Sequence, residues 1–492
     1  MCSEKLGIYP PLPYQTPIAA VKSQHKALVK QDGAIQLLRF FSETIERQEN
    51  LGVLVRVRLF MMLEPREDGL RVLKGLTHYY GSNPYDTLRA SRALDVAGFR
   101  DEAEALLRRQ LKRVRPDGIF EMWERDVPPS GPVDQWIVQG LAPIAFWLHY
   151  TLWRDEDWLR EIAPVVIRAA KATRKARHTQ EASGQQGFVS IHGFVPPGTG
   201  DGGLPQGYNF PQNFGPLAGI WVALQVARKL DLPDVTWLEE EFDDYQKAAK
   251  RVVEQSAVKV EDHQIISAFP GADGDKATHA LWGIVMGVHP FGVLAPRDPL
   301  ALGTLRFLQS TKEHGLHHNL GYSKGVWPYL SADIGHWHLR LGEFDEAWAV
   351  FEGMLNYASP TLGWYEEIET KPPKGYGFIP DVWATSESIH LLRELLILDT
   401  GDTLRLLPAV PGDWLRPGNK LEIKEAPTKF GICSFKIECT DKGITAEIES
   451  LTEQSPSELF VRLLPDSHSE VQHLEVHGGT SYAIDGCFVR VT

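Results

Sequence analysis

One stretch of the chain combines carboxylates with aromatic rings in a pattern that suits proton-transfer chemistry. Residues 361–395 read TLGWYEEIETKPPKGYGFIPDVWATSESIHLLREL, and Glu366 and Glu367 stand shortly after Trp364 in a loop that leads into a helical pattern. Rings that keep water away from a carboxylate make it a stronger base. We therefore expect this loop to form one wall of a reactive site.

Three further segments hold acids and amides among aromatic residues. Such combinations are typical of carbohydrate sites, because rings stack on the apolar faces of sugars while acids and amides bind their hydroxyl groups. Cleavage of a glycosidic bond needs one carboxylic acid to protonate the leaving oxygen, and a carboxylate that activates water or attacks directly. The segments are RPDGIFEMWERDVPPSGPVDQW with Glu121, Asp134, Gln135 and Trp136; GFVSIHGFVPPGTGDGGLPQGYNFPQNFG with Asp201 and Tyr208; and HHNLGYSKGVWPYLSADIGHWH with Trp327.

Helices must position these segments, because apolar residues recur at intervals of three and four from about residue 35 to 399. The connections between helices alternate between short and long, and the long ones hold the acids and aromatics. In a closed ring of helical hairpins all long connections would lie on one face, although a solenoid with variable loops would give a similar pattern. The pattern predicts helices at 36–63, 84–97, 100–114, 133–152, 155–176, 212–229, 234–256, 276–289, 298–311, 326–341, 343–357 and 381–399.

The pattern changes after residue 402, where apolar and polar residues alternate between Gly, Pro and Asp turns. We therefore predict a mainly α protein with three parts. Residues 1–34 form an N-terminal extension, 35–400 an (α/α)6 domain of six helical hairpins, and 401–492 an antiparallel β-sandwich.

Composition restricts the partners. The 492-residue chain carries a net charge of −13, which argues against a nucleic-acid partner. The N-terminus lacks the features of a signal peptide, and no run of about 18 apolar residues occurs, so we predict a cytoplasmic protein with no membrane partner. Four cysteines show no CxxC spacing and the histidines no HExxH pattern, so no metal is predicted. The sequence leaves the oligomeric state open.

The helical layout followed by a β domain resembles the six-hairpin glycoside hydrolases, which include glucoamylases and α-L-rhamnosidases. GWYEEI resembles their general-base loop, with Glu367 in the base position if glycines are matched, or Glu366 if the Trp-Glu pattern is followed. GFVPPGTGDGG resembles their general-acid loop, which implies Asp201, with Glu121 the next choice. NPYDTLRA resembles a sugar-binding loop and implies Asp86, and RLLPAVPGDWLRPGNKLEIKEAPTKFG resembles the start of their β domain.

The resemblance implies an inverting hydrolase that needs no cofactor and acts on an oligosaccharide or glycoside. Two departures accompany it: the large N-terminal β domain of many relatives is absent or reduced to about 35 residues, and the acid position holds Asp where many have Glu. The residues expected to bind the substrate are Asp86, Asp134, Gln135, Trp136, Tyr208, Trp327, Trp364 and Trp383.

Two other functions are compatible with the same helical ring. A polysaccharide lyase or sugar epimerase would move a proton with histidine or tyrosine, and His192, Tyr208, His279 and His390 are its candidates. A carbohydrate-binding protein without catalysis would keep the aromatic residues but not the working acid.

Overall fold

The structure is a computed structural model that describes residues 58–67, 69–75, 83–122, 135–179, 184–359, 362–377, 379–449, 454–464, 482–485 and 487–491. The predicted extension 1–34 and most of the predicted helix 36–63 lie outside the described residues. The expectation of a mainly helical protein is confirmed. The helices are α1 Pro84–Val96, α2 Arg100–Lys112, α3 Val138–Trp153, α4 Glu156–Arg177, α5 Phe210–Lys229, α6 Val235–Gln255, α7 Trp282–Val288, α8 Pro299–Ser310, α9 Pro328–Leu341, α10 Phe344–Asn356 and α11 Val382–Leu396.

Local sequence explains where the helices that matter for the site begin. Asn83 accepts a hydrogen bond from the Asp86 backbone at 3.0 Å, and the Asp86 carboxylate accepts one from the Asn83 backbone at 3.1 Å, which forms a capping box at the start of α1. Asp381 caps α11 by accepting from the Ala384 backbone at 2.9 Å. Helix α7 is shorter than predicted, because Gly274–Thr278 forms a separate 3-10 turn.

The odd-numbered helices pack against one another in order. Helix α1 contacts α3, α3 contacts α5, and the contacts continue through α7, α9 and α11, which contacts α1 again. Helices α3 and α5 cross closely because residue 140 is a glycine. A Cβ there would lie 2.0 Å from the Gly215 carbonyl oxygen. All residues of α11 are buried, as expected of a helix surrounded by others. None of the described helices combines the length and the apolar character that crossing a bilayer requires.

Four of the predicted long connections contain short β-hairpins, where the sequence suggested irregular loops. The hairpins are Leu63–Arg66 with Gly69–Val72 (β1, β2), Gln185–Gln186 with Val189–Ser190 (β3, β4), Ala257–Val260 with His263–Ile266 (β5, β6) and Glu367–Thr370 with Pro373–Tyr376 (β7, β8). Strand β7 is also tied to the neighbouring connection, because Val326 and Ile368 exchange two backbone hydrogen bonds of 2.9 Å. Backbone pairing therefore stiffens the loop that follows Glu366.

The C-terminal part is a β region of two sheets. Lys420–Thr428, Gly431–Thr440 and Gly443–Ile448 (β11 to β13) form an antiparallel sheet, and Ile397–Thr400, Thr403–Leu406, Glu458–Arg462, Tyr482–Asp485 and Phe488–Val491 (β9, β10, β14 to β16) form the other. The expectation of a purely antiparallel region is wrong, because β10 and β14 are parallel. The long excursion through β11 to β13 lets the chain return in the same direction. Strand β9 follows α11 directly and lies before the predicted boundary at 401.

Candidate active site

A pit of about 180 Å³ gathers side chains from distant parts of the chain. This volume is smaller than that of a typical drug-sized ligand site, so the pit suits one small ring. Aromatic residues, carboxylates and two basic groups share its walls. The lining residues are Lys74, Asn83, Tyr85, Arg89, Met122, Asp201, Gly202, Trp282, Met286, Tyr322, Trp327, Tyr329, Leu330, Asp333, Glu366, Glu367, Gly377 and Trp383.

Asp201 lies on a glycine-rich loop that is fixed from two sides. The carbonyl oxygen of Gly202 accepts hydrogen bonds from Trp282 Nε1 at 3.0 Å and from Asn319 Nδ2 at 2.9 Å. Enclosure by the pit walls raises the pKa of Asp201 above its ordinary value, and the negative charge of Glu366 adds to this, while Lys74 opposes it. The residue itself stays exposed to solvent, so its raised pKa reflects the surrounding walls rather than burial of its own surface.

Glu366 faces the pit from the loop before β7. Its Oε1 accepts from Lys74 Nζ at 2.9 Å, and its side chain keeps 22% of its surface exposed. Gly377, with φ +79°, lies against it, because an added Cβ there would come within 2.7 Å of Glu366 Oε2. Glycine at 377 therefore leaves the space that this carboxylate occupies.

Glu367 lines the pit too, but its carboxylate anchors the neighbouring connection. Its Oε1 accepts from the backbone N–H of Gly325 at 2.8 Å and of Lys324 at 3.1 Å. Of the two glutamates that the sequence left as alternatives for the base, Glu366 therefore has the environment better suited to chemistry.

Asp86 lies behind the pit wall and is not among the described lining residues. It is fully buried, and besides capping α1 it accepts from Trp383 Nε1 at 2.5 Å. Burial raises its pKa to about 7, against the opposing effect of Lys74. That Asp86 contacts the sugar stays a prediction; its burial and its hydrogen bond to Trp383 favour a role in positioning Trp383.

The four tryptophans predicted to bind substrate divide into two pairs. Trp327 and Trp383 line the pit, and Trp327 Nε1 has no hydrogen-bond partner among the described residues. Trp364 is fully buried and donates from Nε1 to the Met354 carbonyl at 2.7 Å, and Trp136 lies in the core. For Trp364 and Trp136 substrate binding stays a prediction that their burial in the core disfavours.

The other predicted residues lie around or away from the pit. Gln135 is buried, and its side chain acts to lower the pKa of Asp201, so it lies next to the site without lining the pit. Tyr208 packs against the core and is not among the described lining residues. Glu121, the second choice of acid, lines a separate small cavity beside Arg109. It is therefore less well placed than Asp201 to act in the pit. Asp134 lies outside the described residues.

Similarity to known proteins is confined to structure, since no family model and no curated sequence matches the chain. A GH78 family rhamnosidase from Bacillus sp. GL1 aligns with 86% of this chain and 42% of its own at 11% identity and a TM-score of 0.59. A metal-independent α-mannosidase from Streptococcus pneumoniae aligns with 76% of this chain and 96% of its own at 10% identity and a TM-score of 0.54. A bacterial glucoamylase complexed with acarbose aligns with 70% of this chain and 55% of its own at 15% identity and a TM-score of 0.51.

The chain has a glycosidase-type fold. It spans about half the length of the glucoamylase and rhamnosidase chains that it matches. At identities of 10% to 15% these alignments establish the fold and carry no residue roles.

Within this glycosidase-type fold, sequence reasoning missed the basic residues of the pit. Lys74 follows the β1–β2 hairpin and contacts Glu366, which lies 292 positions later. Arg89 of α1 binds Asp333 of α9 through two hydrogen bonds, of 3.0 and 2.7 Å. Neither pairing has a local signal, although the regular spacing of charged residues along α1, α9 and α11 indicates that charges lie among these packed helices.

Below the pit lies a group of buried charged residues that we name the axial cluster. Glu387 accepts from Arg89 at 2.6 Å and lies 3.1 Å from His336 Nε2, and Glu394 lies 2.6 Å from His336 Nδ1 and accepts from Arg340 at 2.9 Å. Burial alone would lower the pKa of His336, but the two glutamates outweigh it and raise that pKa. The axial cluster comprises Arg89, Arg92, His289, Asp333, His336, Arg340, Glu387, His390 and Glu394.

Among the described residues, four members of the axial cluster most resemble a set of metal ligands. The ligand atoms of His289, His336, Glu387 and His390 lie within 4.8 Å of one another, whereas two nitrogen ligands of a tetrahedral zinc are about 3.4 Å apart. Arg92 already contacts His289 Nε2 at 3.2 Å, and both nitrogens of His336 face carboxylates. The cluster is therefore a poor fit for a metal ion, because arginines already supply its positive charge.

Proposed function

We propose that this protein is an inverting glycoside hydrolase that removes one terminal sugar from an oligosaccharide or glycoside. The observation that carries the proposal is that Asp201 and Glu366, from connections far apart in the chain, line the same small pit. A pit sized for one ring favours a terminal sugar over the middle of a polymer.

Asp201 is the proposed general acid. A group that donates a proton to the leaving oxygen must be protonated near the working pH, and the pit raises the pKa of Asp201 toward that range. Its loop is held by Trp282 and Asn319 through Gly202, so the acid is presented from a fixed backbone.

Glu366 is the proposed general base that activates water. The Lys74 ammonium holds its Oε1 at 2.9 Å, and 22% of the side-chain surface stays exposed, so the carboxylate can meet a water molecule. Inversion requires the two carboxyl groups to lie about 6.5 to 9.5 Å apart, with water between the base and the sugar. We expect the pit to hold the water next to Glu366, between this base and the sugar.

The cyclic packing of α1, α3, α5, α7, α9 and α11 supports an (α/α)6 toroid as the architecture that brings these connections together. The division into a helical domain and a C-terminal β-sandwich domain belongs to the same proposal. Trp327 and Trp383, which line the pit, are the proposed sugar-stacking residues.

The lyase and epimerase alternatives have less support. His192, Tyr208, His279 and His390 are not among the described residues that line the pit. The tyrosines that do line it, Tyr85, Tyr322 and Tyr329, have pKa values raised by burial, which disfavours them as bases.

A test compares two classes of substrate in D201N, E366Q and the control E367Q. Nitrophenyl glycosides have leaving groups that need little protonation by an acid, whereas disaccharides of the same sugars need a general acid. The set includes the α-glucoside, α-rhamnoside, α-mannoside and glucuronide. We expect E366Q to lower turnover of both classes by about 100-fold or more, and D201N to lower chiefly that of the disaccharides. E367Q keeps an oxygen that accepts from Gly325 and should stay active.

The anomer released first, measured by NMR, reports inversion. Full activity of both D201N and E366Q on disaccharides would overturn the assignment. Tight binding of sugars by the wild type with no turnover of either class would favour a carbohydrate-binding protein instead.

A further inference from the structure

Lys74 enters the pit from a part of the chain remote from both proposed catalytic acids. It follows the β1–β2 hairpin, and its carbonyl oxygen accepts a hydrogen bond of 3.0 Å from the backbone N–H of Val382, at the start of α11. Its side chain is largely covered, with 14% of its surface exposed. A lysine fixed at its backbone and covered along its stem can hold its ammonium in one place.

The Lys74 ammonium contacts a carboxylate and an aromatic ring together. Nζ lies 2.9 Å from Glu366 Oε1 and 4.3 Å from the centre of the Trp383 ring. Trp383 is itself held by Asp86 through its Nε1. The cation–π contact and the ion pair therefore fix the ammonium from two directions.

The charges around Lys74 keep it protonated. Burial alone would lower the pKa of Lys74, but Glu366, Asp381 and Asp86 outweigh that effect and raise it above the ordinary lysine value. A lysine that stays charged cannot act as a base, so its contribution to chemistry must be electrostatic.

We propose that Lys74 is a positioning residue for the reaction: its ion pair with Glu366 fixes Oε1 of the carboxylate, which leaves Oε2 to accept a proton from water. This inference rests on the proposed function, in which Glu366 is the base. The ammonium acts through Glu366 rather than by binding the sugar.

The electrostatic neighbours of Glu366 in the described part of the chain are mostly acids or tyrosines, and Lys74 is the cation in contact with it. They are Lys74, Asp86, Asp201, Tyr322, Tyr329, Glu367 and Asp381. Without Lys74 the Glu366 carboxylate would lose its cationic partner and the contact that fixes Oε1.

The test is the kinetics of K74M and K74R across pH, with K371M as the matched control. Lys371 forms an ion pair of 2.8 Å with Glu313 from the turn between β7 and β8 and is well exposed, so K371M removes a lysine charge from the connection that holds Glu366 without touching Glu366. We expect K74M to lower kcat by about 10- to 100-fold with KM changed less than about threefold. The acid side of its pH profile should move upward by about 1 unit or more.

K74R keeps the charge and should recover most of the lost kcat and the wild-type pH profile, and K371M should match the wild type. Circular dichroism and thermal melting identify any folding defect, and K74Q replaces K74M if K74M does not fold. A rise in KM at constant kcat would overturn the proposal, as would an unchanged kcat and pH profile in the uncharged variant. E366Q in the same assays separates the proposed function from the role of Lys74. If E366Q stays active, the proposed function fails. If E366Q is inactive but K74M behaves as the wild type, only the role of Lys74 fails.

Discussion

The pit and the axial cluster beneath it hold similar charged residues that differ in solvent exposure and in ion pairing. In the pit, Asp201 is exposed and Glu366 keeps 22% of its side-chain surface accessible. In the axial cluster, Glu387 and Glu394 are buried, with 4% and 7% of their side chains exposed, and each contacts an arginine and His336. Arg89 belongs to both, since it lines the pit and binds Glu387.

The comparison separates carboxylates that can do chemistry from carboxylates that hold structure. A reactive carboxylate needs access to substrate and hydrogen-bonding capacity that the protein has not filled. Burial alone would raise the pKa of Glu394, but Arg340 and the neighbouring imidazoles hold it well below its usual range, so it stays charged and paired. The paired charges of the axial cluster therefore support the floor of the pit, where Arg89 and Asp333 line it.

The largest expected effect is the loss of one charge from the axial cluster. E394Q keeps the shape of the side chain but removes the carboxylate that pairs with Arg340 and leaves His336 with Glu387 alone, and breaking a buried ion pair costs about 3 to 5 kcal/mol. We expect the free energy of unfolding, measured by urea titration, to fall by that amount.

A surface pair gives the matched control for E394Q. Asp413 and Arg416 form an ion pair of 2.6 Å in which both side chains are about 70% exposed, so D413N should change stability by less than about 1 kcal/mol. Equal effects of E394Q and D413N would contradict the structural role of the axial cluster.

Two tryptophans sharpen the same contrast between core and pit. W364F removes the donor to the Met354 carbonyl from a fully buried site and should lower stability by about 1 to 3 kcal/mol with little change in kinetics. W327F shortens a ring that lines the pit and should raise KM about tenfold with little loss of stability. Thermal melting and steady-state kinetics check both, and a reversal of the two outcomes would place Trp364 in contact with substrate.

Asp381 caps α11 near Glu366 and Lys74 and predicts a pH dependence of stability. Burial and the charge of Glu366 raise its pKa to about 7, with Lys74 opposing, from an ordinary value near 4. Between these values the folded protein holds a proton that the unfolded chain releases, so the stability contributed by this group falls as pH rises, by at most about 1.4 kcal/mol per pH unit.

The variant D381N isolates this contribution, since asparagine can still cap α11. His289, His336 and His390 titrate in both proteins, so the measured quantity is the difference in unfolding free energy between D381N and the wild type. We expect this difference to grow in favour of D381N from pH 4 to pH 7. A difference that does not vary with pH would contradict a raised pKa at Asp381.

The sequence predicts the helices and the loops of the site well, because helical periodicity and glycine-rich turns are local signals. The predicted helix 84–97 differs from the observed Pro84–Val96 by one residue, and the loops with Asp201 and Glu366 meet at the pit as expected. Residue type alone does not separate Trp327 from Trp364, because a tryptophan suits a core and a sugar site equally. Only packing shows that Met354 lies against one ring while the other faces the pit.

Long-range charge pairs are the part that a single sequence does not predict. Lys74 and Glu366 are separated by 292 positions and Arg89 and Asp333 by 244, and no periodicity connects them. For Asp86 a local motif is present but does not predict the contact. The motif resembles a sugar-binding loop, yet the side chain is buried behind the pit wall and accepts a hydrogen bond from Trp383. A resemblance in sequence assigns a position to a loop, and the local packing then decides what the side chain contacts.

The smallest expected effect is that of a chelator, and it tests the axial cluster directly. If arginines supply its positive charge, incubation with EDTA followed by dialysis should leave the melting temperature and turnover unchanged, and metal analysis of the purified protein should give less than about 0.1 metal ion per chain. A metal held by His289, His336, Glu387 and His390 would stabilise the fold, so its removal would lower the melting temperature. In that case H390A should abolish metal retention, and the contacts of Arg92 and Arg340 would have to rearrange around the ion. An unchanged melting temperature instead supports the view that the axial cluster is a paired ionic core whose net positive charge resides on arginine and His336.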